Sequence, residues 1–173
     1  MEENLWYYSY SESVNKNRFL INAGIGYGAT PYEMKMPPVS VSVEYLLQKL
    51  PLSVGGYFSM ATNKADFGIA NYSDTVAGAG ARASWHLNLV KTLDPYISLT
   101  VGWIIWKQEV EDTRSEFAGS TLFSPTTAKV NRGTVFLGFN IGARYFFTKN
   151  VGAYIEAGYN VLSVLSAGLS LKF

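Results

Sequence analysis

The chain contains no cysteine, which excludes a disulfide framework, a thiolate-ligated metal and a thiol nucleophile. Charge is scarce: 14 Lys+Arg and 13 Asp+Glu make up 16% of 173 residues and leave a net charge of +1. No global field therefore draws the molecule onto nucleic acid or an anionic surface. A long apolar run is absent too. The most apolar short stretch, Val101 to Trp106, already contains Gly102, whereas a membrane-spanning helix needs roughly 20 apolar residues. The start, Met1-Glu2-Glu3, lacks the positive charge and apolar block of a cleavable signal. A cytoplasmic chain and a mature sequence with an added start methionine both stay open at this point.

Aromatic side chains are plentiful. Four Trp, 12 Tyr and 10 Phe are 15% of the residues, far more than a disordered chain carries. The length suits one domain, and the mean hydropathy is +0.06. High aromatic content with low charge points to a surface that touches something other than water.

Period two dominates the chain, the alternation that strand geometry demands. From Arg18 to Gly28, Phe19, Ile21, Ala23, Ile25 and Tyr27 alternate with residues that are mostly small or polar. Similar alternation recurs over Val39–Gln48, Leu52–Thr62, Thr75–Asn88, Pro95–Lys107, Thr134–Phe147, Val151–Asn160 and Leu162–Phe173. Eight strands are predicted, and the fold class is all-β.

Alternation does not say which face is inside. A soluble lipocalin-like barrel is apolar within, and a membrane barrel is apolar without. Three features favour the membrane barrel. Aromatics collect at the ends of the apolar face: Phe19, Tyr45, Trp85, Tyr145, Phe147 and Phe173 near one rim, Tyr27, Phe58, Trp103 and Tyr159 near the other. Two interfacial girdles account for that sorting. The connections after the second, fourth and sixth strands are short, and those after the first, third and fifth are longer, with Ala61–Asp74 and Lys107–Arg132 longest. Short turns on one side and long loops on the other suit an outer-membrane barrel with both termini in the periplasm. Finally, the charges well inside strands, Glu44, Arg82, Arg144 and Glu156, all fall on the small and polar face. Chance would produce that agreement about one time in sixteen on a two-residue period. The reading is an eight-stranded antiparallel up-and-down transmembrane β-barrel over residues 17–173, preceded by a periplasmic segment, 1–16.

The end of the chain carries a resemblance. Gly142 to Tyr159, with its Arg-Tyr-Phe-Phe-Thr-Lys-Asn turn, leads to a last strand with Ala167, Leu169, Leu171 and Phe173 at alternate positions. This resembles the closing hairpin and final strand of small bacterial outer-membrane barrels: the OmpA transmembrane domain, OmpX/Ail and OmpW. The resemblance implies that those four residues are the signal read by the barrel-insertion machinery, and that outer-membrane lipid and lipopolysaccharide surround a monomeric barrel. The layout is similar from Arg18 to Phe173. Met1–Lys16 has no counterpart, nor has the peptidoglycan-binding domain of full OmpA; Trp6, Tyr7, Tyr8 and Tyr10 suit an aromatic anchor at the periplasmic interface.

The same families admit lipid A-modifying enzymes, which need a nucleophile and a base at outer-leaflet depth. The one histidine, His86, lies beside a periplasmic turn, with Ser84 on its face and Glu44 in reach only for a favourable shear. A hydrogen-bonded lumen histidine is the better reading, and neither enzyme activity, metal nor cofactor is expected. The lumen charges Arg18, Glu44, Arg82, Arg144 and Glu156 are expected to gather, with Arg144 and Glu156 one diagonal step apart. Buried charges must be paired, so a structural plug is favoured; the resemblance to OmpA offers a gate for weak conductance instead. Inward Leu20, Leu46, Ile104, Trp106, Phe136 and Phe146 keep open a narrow channel for small or hydrophobic solutes. The longest connection, with Lys107, Glu109, Glu111, Asp112, Arg114, Glu116, Phe117 and Phe123, is expected to prolong strands five and six above the membrane and to present surface for host or other partners.

Overall fold

The computed structural model describes residues 18–28, 34–47, 50–66, 70–87, 92–112, 127–160 and 162–173. Its strands are β1 (Phe19–Tyr27), β2 (Met34–Leu46), β3 (Leu52–Asp66), β4 (Ala70–His86), β5 (Leu93–Asp112), β6 (Thr127–Phe146), β7 (Val151–Asn160) and β8 (Ser163–Lys172). Each pairs antiparallel with its sequence neighbour, and β1 pairs with β8 to close the barrel. Closure satisfies every edge at lipid depth, where no water is available to do so.

The rim that holds residues 18 and 173 is tight. Phe19 and Phe173 exchange backbone hydrogen bonds at 2.9 Å, and Leu47 N–H donates to Leu52 across the β2–β3 turn, also at 2.9 Å. In the β6–β7 turn the Thr148 hydroxyl accepts from the amides of Asn150 and Val151, at 3.3 and 2.9 Å, the local bond that favours Thr in turns.

The opposite rim differs from the expected strand ends. The stretches read as the long connections Ala61–Asp74 and Lys107–Arg132 are strand wherever they are described: β3–β4 pairing runs to Asp66↔Asn71, and β5–β6 pairing to Glu111↔Thr127. Above the lipid both faces of a strand meet water, so the period-two signal fades while the backbone ladder continues. The expected prolongation of strands five and six is present. By contrast β1 ends at Tyr27, and β6 pairs with β7 only from Phe139 to Phe146, so the wall is tall over β3–β6 and short over β7, β8 and β1. In β2, the register slips between Met34 and Val39, where Pro37 and Pro38 have no N–H to donate. The expected N-terminal segment 1–16 and Arg114, Glu116, Phe117 and Phe123 lie outside the described residues.

The apolar face points outward. Leu137, Tyr159 and Ile25 are 67%, 68% and 60% exposed, whereas Glu44 and Arg144 are fully buried. The girdle residues Phe19, Trp85, Tyr145, Phe147 and Phe173 are exposed around one rim, and Tyr27, Phe58, Trp103 and Tyr159 higher on the wall. Tyr45 is half-buried, its ring edge-on to Phe19 at 5.3 Å. On β8, Ala167 and Leu169 face outward and Leu171 is partly covered.

Large inward side chains are accommodated by glycines on neighbouring strands. Gly55 is in register with both Glu44 and Arg82, and Gly142 with both Tyr96 and Glu156. A Cβ on Gly142 would stand 2.7 Å from Tyr96 Cζ and 2.9 Å from Glu156 Cγ. An eight-stranded barrel is only just wide enough for its own side chains, so this pairing of large with absent side chains decides what the lumen can hold.

Candidate functional site

The lumen is layered along its axis. In the half nearer the tight rim, charges from five strands form one network. Glu44 on β2 accepts from Arg144 Nη2 on β6 at 2.9 Å and lies 3.4 Å from Arg82 Nε on β4. Arg82 pairs with Glu156 on β7 through both terminal nitrogens, and the Tyr96 hydroxyl donates to the same carboxylate at 2.6 Å. Arg144 also donates to Asp94 and to the Asn22 carbonyl, each at 3.1 Å. Its guanidinium stands 3.8 Å from the centre of the Tyr96 ring, a cation–π contact. Asn22 is held by the Ser170 hydroxyl at 2.6 Å and donates to Ser42 at 2.8 Å.

The structure therefore brings Glu44, Arg82, His86, Arg144 and Glu156 together. Arg18, expected among them, sits at the rim, where its Nη1 donates to Tyr45 at 3.2 Å. Arg144 and Glu156 are diagonal neighbours, since Glu156 lies opposite Gly142. Each nevertheless reaches across the lumen to a partner on a distant strand.

His86 bridges two strands. One ring nitrogen meets both Asp94 oxygens at 2.9 Å, and the other meets Ser53 Oγ at 2.9 Å. The Ser53 hydroxyl donates to Glu44. Ser84, on the same face as His86, accepts from Arg82 Nε at 3.4 Å, and Ser53 on the adjoining strand is the hydroxyl at the ring. Asp94, His86 and Ser53 have the connectivity of a hydrolytic triad, but Ser53 is fully buried and its proton is committed to a carboxylate. The arrangement holds β3, β4 and β5 together.

Asp94, Ser53, Tyr96 and Asn22 were missed as network members. Asn22, Ser53 and Tyr96 already sat on the inward parity of their strands near one rim, which was the available signal. Asp94 lies just before the strand read from Pro95 and is the second residue of β5.

Above the network Ser98, Thr100, Asn140 and Asn160 are buried, each with one polar atom that has no hydrogen-bond partner among the described residues. Beyond them Ala61, Val76, Ile104, Phe136 and Leu162 form an apolar layer. Toward the tall wall the lumen opens into a cavity of about 650 Å³, whose lining includes Asn63, Asp74, Trp106 and Arg132. The inward apolar residues are thus split: Leu20 and Leu46 lie at the tight rim and Ile104 and Phe136 toward the other, with the charges between. No group of three or more His, Cys, Asp or Glu placed to hold a metal ion occurs among the described residues.

Comparisons bear on the architecture. No family model and no curated protein sequence matches the chain. Its structure is similar to a major outer membrane protein from Thermus thermophilus, with a TM-score of 0.63 at 12% identity over 92% of this chain and 100% of the other. The fold is the eight-stranded outer-membrane β-barrel. The barrel is also similar to a de novo designed transmembrane β-barrel, with a TM-score of 0.51 at 15% identity over 90% of this chain and 95% of that one. A further likeness is to Ail, the attachment invasion locus protein of Yersinia pestis, with a TM-score of 0.50 at 12% identity over 90% and 93% of the two chains. Such identities carry the fold and not the role.

Proposed function

We propose that this chain is a monomeric integral protein of a bacterial outer membrane, both termini periplasmic, whose lumen is closed and whose role is played by its outward rim and loops. The observation that carries the reading is the network of Glu44, Arg82, Asp94, Arg144 and Glu156, which joins opposite walls across the lumen. Lipid and lipopolysaccharide meet the apolar belt, the barrel-insertion machinery reads Ala167, Leu169, Leu171 and Phe173, and surface partners meet the tall β3–β6 wall. The role is not enzymatic: the burial of Ser53 and His86 supports this, and Ser53→Ala is expected to change no esterase or acyltransferase assay.

Two measurements test the reading. Refolding should require detergent or lipid and give a heat-modifiable band on gels; a protein that is folded and monomeric in plain buffer would overturn it. In planar bilayers the wild type should be silent and remain so in Arg144→Ala and Glu156→Ala. Steady wild-type conductance, or conductance released by either variant, would favour the second reading, a narrow channel for small or hydrophobic solutes. That alternative draws on the unpartnered polar atoms of Ser98, Thr100, Asn140 and Asn160, which mark space for water between the network and the apolar layer.

A further inference from the structure

The cavity within the tall wall has a composition that neither the closed lumen nor the lipid belt explains. Its volume of about 650 Å³ lies in the range of small-molecule sites, which combine apolar walls with a few placed polar groups. Val76, Val130 and the Trp106 indole supply apolar wall, and Trp106, although on the inward face, is 37% exposed. Asn63 and Asp74 face each other in register on β3 and β4. Asn63 is only 7% exposed, and its Oδ1 and the Oδ1 of Asp74 are buried acceptors with no donor among the described residues. Buried acceptors in this state are costly and call for a donor. Arg132 lines the cavity from β6, in register with Trp106, and is exposed; Gln108, in register with Asp74, and Lys107 line it too. A carboxylate and an amide oxygen on β3 and β4, an indole on β5 and a guanidinium on β6 follow one another along the sheet and make a bipolar site.

We propose that this cavity binds a small zwitterion with an apolar side group, of the α-amino acid or short-peptide class. The ammonium supplies N–H donors to Asp74 and Asn63, the carboxylate meets Arg132, and the side group lies against Trp106, Val76 and Val130. The apolar layer of Ile104 and Phe136 lies between the site and the charge network. Binding therefore does not depend on whether the network below ever opens, and it is separate from the surface role proposed above.

The test uses the whole chain in lipid nanodiscs, with the indole resonance of Trp106, assigned through Trp106→Phe, as the readout. The probes are L-phenylalanine, phenethylamine and 3-phenylpropionate, which share one ring and differ in charge. Phenylalanine should shift the Trp106 resonance and bind more tightly than either singly charged analogue. Asp74→Asn should weaken phenylalanine and phenethylamine by about tenfold or more, the scale of a hydrogen bond to a charged group, and leave phenylpropionate unchanged. Arg132→Gln should do the reverse. Heat-modifiable migration confirms that each variant is folded. Equal binding of the three probes, shifts confined to other tryptophans, or insensitivity to both substitutions would overturn the proposal. The last result would mean that the Asn63 amide turns to donate to Asp74 and that the pair needs no ligand.

Discussion

Replacing Arg144 by methionine removes the guanidinium that ties β6 to β1, β2 and β5, while the thioether fills most of the space left by the arginine stem. The side chain is completely buried and makes charge-assisted bonds to Glu44 at 2.9 Å, Asp94 at 3.1 Å and Asn22 at 3.1 Å. Taken singly, bonds to charged groups contribute about 1.5–3 kcal/mol each, and their sum overstates the effect because one guanidinium was desolvated for all three. Removing one partner of a buried pair costs about 3–5 kcal/mol, chiefly by stranding the charges left behind. Glu44 would retain only the 3.4 Å approach of Arg82 as a cationic partner. The expected loss is about 4 kcal/mol, read by urea unfolding in lipid vesicles from gel migration and tryptophan fluorescence. Adding Glu44→Gln should restore part of it, because the stranded carboxylate is gone, with a coupling of about 0.5–3 kcal/mol. A single-variant loss under about 1 kcal/mol, the scale of an exposed pair, or strict additivity in the double variant, would refute the view that the network braces the barrel.

Gly142→Val places a branched side chain against Tyr96 and Glu156; a loss of about 1–3 kcal/mol is expected for such overpacking, with refolding yield as the check. Leu137→Arg turns a charge toward lipid and should cost about 2–4 kcal/mol near the midplane in the same vesicle titration, whereas Leu137→Ile should change little. Phe173→Ala should slow assembly into the membrane of living cells. Its in-vitro stability should fall by less than about 1 kcal/mol, the usual range for a surface position, because the backbone bonds to Phe19 remain.

The number of strands, their antiparallel order and their facing were legible in the sequence because each follows from local pattern. A two-residue period sorts Ile25, Val41, Leu99 and Ile155 to one face, and Glu44, Arg82, Arg144 and Glu156 to the other, whatever lies on neighbouring strands. The upper ends of β3 to β6 were not legible. Over Thr62–Asp66, Asn71–Asp74, Lys107–Glu111 and Thr127–Arg132 the apolar alternation is weak, so composition reads as loop while the backbone remains paired. His86 was legible beside a tight turn, but its hydroxyl partner Ser53 was not, because residues i and i+2 on one strand are obvious neighbours and residues across a ladder are not.

The sequence by itself determined that the chain turns its apolar face outward and its charges inward, since a one-residue slip would expose Arg82 and Arg144 to lipid. Only the tertiary structure decided who pairs with whom. Arg82 on β4 meets Glu156 on β7, and Arg144 on β6 meets Glu44 on β2, partners far apart in the chain. The stagger and tilt of closed strands decide which side chains share a level of the lumen, and no local pattern encodes that level. The same geometry lifts the β3–β6 wall above its neighbours and places Asn63, Asp74, Trp106 and Arg132 around one cavity.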